Sequence, residues 1–324
     1  MDSEIVFTDP NGSQSSDCSR SAPCTLDHAL TLTPPSGGQY VELAAGDYNE
    51  GATVEIEGKR ILVGRGANAT TIRNAGTGQI FLIDDGGDGT LDSVELADAP
   101  GSPAGSTNGY AVYCPDAPAG TRSVHILDAL ITNSAGDAVR AQTCTVEIRR
   151  TVIDGNLTTG LAIGTSTTIV DQTLVSSNAY GAGQVSGDFS ITNSFFVRNG
   201  GGLILGGATS PVFAFNTVAD NDGAFGLDCS ASAAFPTIVV SSSILARNAG
   251  QNLFNTGCVE SSTVDEPDVS GLNFASPETA PYDYHLLAGS IAVDAASSCS
   301  VDHDFDGDKR PKGAACDIGA DEAF

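Results

Sequence analysis

Four aspartates, Asp302, Asp304, Asp306 and Asp308, alternate around Gly307 near the end of the chain. A D-x-D-x-D-G string is the first half of a calcium loop, in which alternate carboxylates turn toward one ion. Its twelfth position is Gly313 and not Glu, so an acid such as Asp317 or Glu322 would have to complete the shell. The competing reading is a capping turn in which Asp304 pairs with Arg310 and the aspartates hold backbone N–H groups. The acidic stretch Asp84 to Gly89 has the composition of one turn of a stacked calcium-binding repeat, but it occurs once. Cationic groups that could serve elimination chemistry on an acidic sugar, beside calcium-binding acids, are Arg149, Arg150, Arg198 and Arg247, with Asp220 among them. Paired aspartates with G-H-G and R-I-K strings would mark a polysaccharide hydrolase. His125 and His285 lie in no such context.

These groups sit on a repeat. Asn133, Asn156, Asn178, Asn199, Asn221 and Asn248 recur at steps of 23, 22, 21, 22 and 27 residues, each followed by a glycine. Three or four positions before each lies an apolar residue: Leu130, Val152, Leu174, Phe195, Val218 and Ile244. Upstream of these, β-branched and apolar residues alternate with a period of two, as in Val124/Ile126 and Val146/Ile148, which argues for strands. Three short strands per period of about 22 residues predict a right-handed parallel β-helix, in which like residues stack on like at about 4.8 Å. The Asn ladder has a structural explanation, since Asn tolerates a left-handed turn and can hydrogen-bond from coil to coil. Arg198, Asp220 and Arg247 each immediately precede a ladder Asn, so they should stack as an exposed Arg–Asp–Arg row. The same register places Phe213, Phe215, Ile169 and Val239 outward beside Glu147, Arg149 and Asp171. Two outward phenylalanines need cover from the chain, a partner or a ligand. Phe213, Phe215, Glu147 and Asp171 are therefore candidate ligand contacts.

Composition agrees with this architecture. The 324 residues include 38 Gly, no Trp and one Met, which disfavours long helices. With 40 acidic against 14 basic residues the net charge is -26, a field that repels nucleic acid and anionic membranes. It attracts cations, calcium among them, and it reads equally as a solubility adaptation to salt. No apolar run is long enough to span a bilayer. The start, MDSEIVFTDPNG, has neither a charged nor an apolar leader region, so an export signal is expected to have been removed. Cys18, Cys24, Cys114, Cys144, Cys229, Cys258, Cys299 and Cys316 lack metal-type spacing and read as four disulfides of an oxidising compartment. Cys18–Cys24 would close a loop, and Cys114–Cys144 and Cys229–Cys258 would staple neighbouring coils. Residues 1–37 form the expected N-terminal cap, with a short helix over 25–33 started by Thr25. Coils follow over 38–253, interrupted at 98–122 and 228–236, and 254–324 form the C-terminal coil and capping segment, all in one domain.

The stretch from His285 to Glu322 resembles the end of the choice-of-anchor Q domain. That family shows a "hLxxgSPaiDaG" stretch followed by "DxDGxpRpxGxxxDiGAxE". The matching residues are His285-Leu286-Leu287, Ser290 to Asp294, Asp304, Asp306, Gly307, Arg310, Pro311, Gly313 and Asp317 to Glu322, with departures at Ile291, Ala296 and Lys309. The resemblance covers about an eighth of the chain. It implies a parallel β-helix of an exported bacterial protein, often attached to the cell surface, and no general catalytic assignment. The sequence thus predicts an extracellular or surface β-helix scaffold with an adhesion or glycan-binding role and a polysaccharide or surface glycan as partner. The alternative is a calcium-assisted polysaccharide lyase working on a strand face near Arg149 and Arg150.

Overall fold

A computed structural model of the chain describes residues 4–84, 86–101, 109–116, 121–207, 209–230, 237–254, 257–266 and 270–323. The predicted loops at 98–122 and 228–236 and the acidic stretch at 84–89 therefore fall partly outside the described residues. The chain forms two compact units, Met1–Thr167 and Thr168–Phe324. Each is wound from short parallel strands that pair coil upon coil.

In the first unit a helix, α1 (Leu26–Thr31), is capped by the Thr25 side chain, which accepts the His28 N–H as the sequence predicts. The strands that matter for function are β1 (Lys59–Val63), β2 (Asp88–Asp92), β3 (Ser123–Leu127) and β4 (Thr145–Arg149). They stack in parallel register in that order. Val124, Ile126, Val146 and Ile148 point inward and are fully buried. The residues between them point outward, as period-two alternation requires.

In the second unit β5 (Leu174–Ser176), β6 (Phe195–Val197), β7 (Thr217–Ala219), β8 (Ile244–Ala246) and β9 (Val264–Glu266) stack as one parallel ladder. Parallel pairing thus continues past residue 253. Here Val175, Phe196, Val218 and Leu245 fill the interior. The outward residues Phe195, Thr217 and Ile244 are nevertheless buried. The C-terminal segment lies over them: Leu272, Phe274, Tyr284, Leu286, Ala292, Ile318 and Ala320 form one apolar cluster with Phe195, Phe215 and Ile244.

This arrangement corrects the expected register. Thr217, not Val218, stacks between Phe195 and Ile244. A polar residue at that position hides the repeat, and a slip of one reverses every side chain on the rung. Phe213 accordingly pairs with Ile191 and Val240, points inward and lies 6.5 Å from the Phe196 ring. Phe215 is buried beneath the C-terminal segment, with the Arg310 guanidinium 4.8 Å from its ring centre. Neither is a surface platform. Val239 does face solvent as predicted.

The asparagine ladder is a hydrogen-bond spine. Asn199 Oδ1 accepts both the Asn178 N–H and its Nδ2, and Asn199 in turn donates from N and Nδ2 to Asn221 Oδ1. Asn221 repeats this on Asn248. In the first unit Asn156 Oδ1 accepts the Ser134 N–H, so Ser134 holds the ladder place and Asn133 precedes it. The left-handed turn falls on the preceding residue, as at Arg198 (φ 57°), Asp220 (φ 55°) and Arg247 (φ 51°), and not on the asparagine. Asn199→Ala orphans buried partners on both neighbouring coils. It should cost about 2–3 kcal/mol in chemical denaturation and leave ligand binding unchanged; a wild-type midpoint would contradict the spine.

All eight cysteines are paired, Cys18–Cys24, Cys114–Cys144, Cys229–Cys258 and Cys299–Cys316. Among the described residues no helix is long and apolar enough to cross a membrane.

Candidate functional site

The outward residues of β1 to β4 form a grid of three files. Lys59, Asp88, Ser123 and Thr145 make the first file. Ile61, Thr90, His125 and Glu147 make the second, and Val63, Asp92, Leu127 and Arg149 the third. Five ionisable groups on this grid touch in sequence. Lys59 Nζ lies 3.6 Å from Asp88 Oδ2, and Asp88 Oδ1 accepts the Ser123 hydroxyl at 2.7 Å. His125 Nε2 lies 3.6 Å from Asp88 Oδ1, while its Nδ1 is 2.6 Å from Glu147 Oε2. Arg149 Nε donates to Glu147 Oε1 at 2.5 Å. The hydrogen bond from Arg149, opposed by burial and aided by His125, holds the Glu147 carboxyl below the usual carboxylate range.

The row alternates in charge and stays open to solvent, with side-chain exposures from 25% at Glu147 to 52% at Lys59. A histidine held between two carboxylates has the placement of a proton carrier. Lys59 and Arg149 at the two ends are cations that can meet an acidic substrate. Of these groups the sequence reading singled out Glu147 and Arg149 as site residues. It missed Lys59, Asp88 and the role of His125. The alternation Val124-His125-Ile126 beside Val146-Glu147-Ile148 was the available signal.

The other predicted residues lie elsewhere. Arg150 sits at a left-handed corner (φ 47°) and makes a bidentate pair with Asp128. In the second unit Arg247 grips Asp220 with Nε and Nη2 and also pairs with Glu278. The Tyr284 hydroxyl donates to the same Asp220 carboxylate. Arg198, which lines one cavity with Asp220 and Arg247, stacks 3.7 Å over the Tyr282 ring and donates to the Pro277 carbonyl. These arginines therefore clasp the C-terminal segment, beside that cavity of about 290 Å³, which Glu278 also lines.

The four C-terminal aspartates do not converge on one point. Asp304 is fully buried and accepts the N–H groups of Asp306, Asp308 and Glu322, the work of a capping turn. Asp308 pairs with Lys312, and Asp302 with His303. Arg310 pairs with Glu322 and not with Asp304. Asp171 is buried, accepting from Thr192 and Asn193 and, at 3.1 Å, from His303 Nε2.

Burial lowers the His303 pKa, but the hydrogen bonds to Asp302 and Asp171 and their charges outweigh it, so the net shift is upward from 6.5. A raised folded-state pKa gives stability that is complete below the unfolded value and is lost as pH rises through the folded one. In chelator-treated protein, stability should therefore fall as pH climbs from below 6.5 past the His303 value. The fall should be shallower in His303→Gln. An identical pH profile for both proteins would remove His303 from the account.

Comparison with known proteins agrees with the fold. Residues 119–302 match the family described as the right handed beta helix region. The chain belongs to the right-handed β-helix family. It is similar to the crystal structure of pectate lyase Pel9A, with a TM-score of 0.62 and 13% identity over 100% of this chain and 97% of that one. It is also similar to the A-module of mannuronan C-5 epimerase AlgE4 of Azotobacter vinelandii, with a TM-score of 0.58 and 17% identity over 78% of each chain. The corresponding AlgE6 module gives 0.55 and 17%, over 78% and 76%. At these identities the likeness is one of fold. Curated proteins give no match.

Proposed function

We propose that this right-handed β-helix acts on an acidic polysaccharide, a polyuronate, by removing the proton at C-5 on the face built by β1 to β4. The observation that carries the reading is the Lys59–Asp88–His125–Glu147–Arg149 row, stacked in register and open to solvent. A protein of net charge -26 repels a polyanion except where cations face it. This row offers His125 as the proton acceptor, with Lys59 and Arg149 at its two ends for carboxylates of the polymer, that of the reacting unit among them. Neutralising that carboxylate acidifies the adjacent C-5 proton. After its removal the electron pair forms the C-4–C-5 double bond as the C-4–O bond breaks, and the leaving oxygen takes up a proton. Return of a proton to C-5 from the opposite face, with the C-4–O bond kept, instead inverts that centre. The similar folds include a pectate lyase and mannuronan C-5 epimerases, which supports the substrate class.

The adhesion or glycan-binding scaffold rests on the long rigid surface of the repeat, but its candidate contacts Phe213 and Phe215 are buried. The four disulfides and the C-terminal resemblance to the choice-of-anchor Q domain favour an exported, surface-associated protein.

Pectate, mannuronan and guluronan, each with and without calcium, provide the test. Ultraviolet absorbance of the unsaturated product reports elimination, and exchange of the C-5 proton for deuterium reports abstraction. Binding without either signal on any of the three would leave only the scaffold.

A further inference from the structure

The C-terminal segment gathers three ligand-type side chains that its capping turn does not use up. His285 on β10 (Asp283–Leu286), Asp306 in the aspartate-rich turn and Asp321 in the tail each place a ligand atom within 4.8 Å of the others. His285 Nδ1 is engaged by Asp283 Oδ1, which leaves Nε2 as the free ring nitrogen. That Nε2 is buried without a hydrogen-bond partner, although Asp306 Oδ2 lies only 3.1 Å away. Two donor atoms this close, yet not aligned with each other, have the spacing of neighbours on one ion. Metal bonds of about 2.0–2.2 Å set adjacent ligands roughly 3 Å apart.

The surroundings are those of a prepared ligand set. A carboxylate on the far nitrogen of a metal-binding histidine fixes its tautomer and raises its basicity, which is the place of Asp283. Asp321 is buried and oriented by the Leu286 N–H at 2.6 Å. The rings of Phe195 and Phe305, 5.5 and 5.8 Å from the imidazole, wall one side with apolar surface. Asp306 is half-exposed and leaves the other side open.

We propose that His285, Asp306 and Asp321 bind a divalent transition-metal ion of the zinc type, with at least one coordination position open to solvent. One imidazole nitrogen with two carboxylates suits zinc, manganese or ferrous iron, whereas calcium takes oxygen ligands. The ion would tie β10, the aspartate turn and the tail together over the outer face of β6. The site lies in the second unit and is independent of the polyuronate reading.

Chelator-stripped full-length protein titrated with Co²⁺ under excess Mg²⁺ tests it without any activity assay. The expected result is one saturable site per chain with the visible absorption of nitrogen-ligated Co²⁺, displaced by Zn²⁺, and a higher melting temperature with the ion. Asp306→Asn, at a half-exposed position, should fold as wild type and bind Co²⁺ about tenfold or more weakly, and His285→Gln likewise. If His285→Gln does not fold, Asp306→Asn decides. No saturable site in the wild type, or unchanged binding in Asp306→Asn, would overturn the proposal. Unchanged binding would place the ion elsewhere, for instance at the exposed cluster of Glu55, Glu57 and Asp84.

Discussion

Arg310→Ala should cost about 3–5 kcal/mol and free the C-terminal segment from the coils. The Arg310 guanidinium is fully buried, as is its partner Glu322, at 2.9 Å. It also donates to the carbonyls of Asp317 and Gly319 and lies over the Phe215 ring. Glu322 in turn accepts the N–H groups of Lys312 and Asp317, and its own N–H goes to Asp304. Deleting the arginine leaves Glu322 charged, buried and unpaired, which costs more than the pair itself contributes. The comparison that isolates this effect is Arg310→Met with Glu322→Gln, which removes both charges and should recover part of the loss. Urea denaturation of the three proteins, with limited proteolysis of residues 270–323, reads the result. An Arg310→Ala protein within about 0.5 kcal/mol of wild type would mean that the ion pair does not anchor the segment.

The importance of this pair was not legible in the sequence, and the reason is physical. Repeats announce themselves because stacking puts the same demand on every coil, so the strands and three of the disulfides could be read from period and spacing. The C-terminal segment meets no periodic demand. It docks on outward residues of coils roughly 100 positions away, as when the Ala320 N–H donates to Thr217 Oγ1. Thr217 shows how one polar residue misleads. Apolar patterning passes over it to Val218, and that slip turns Phe213 outward, whereas Phe215 is covered by the C-terminal segment. The same logic misplaced the ladder at Asn133, where Ser134 holds the position. On the first unit the gap between Asp88 and Ser123, opposite residues in adjacent strands, hid the alignment of Lys59 and Asp88 with His125. Glu147 and Arg149, on an uninterrupted rung, could be read as outward neighbours.

His125→Ala should lower polyuronate turnover by about 10²–10⁴-fold, the range for losing a positioned proton carrier. Its imidazole stands at the centre of the row, between the carboxylates of Asp88 and Glu147. Because the ring is outward and partly exposed, the variant should fold as wild type. Lys59→Ala and Arg149→Ala remove the charges that would meet carboxylates of the polymer, so their loss should include weaker substrate binding. Arg149→Ala also releases Glu147 toward the ordinary carboxylate range. Arg150→Ala, paired with Asp128 at the corner and off the row, should leave turnover unchanged. Initial rates of unsaturated-product formation across these variants decide. Full turnover in His125→Ala, with loss in Arg198→Ala or Arg247→Ala, would move the chemistry off the β1 to β4 face and onto the arginines of the second unit.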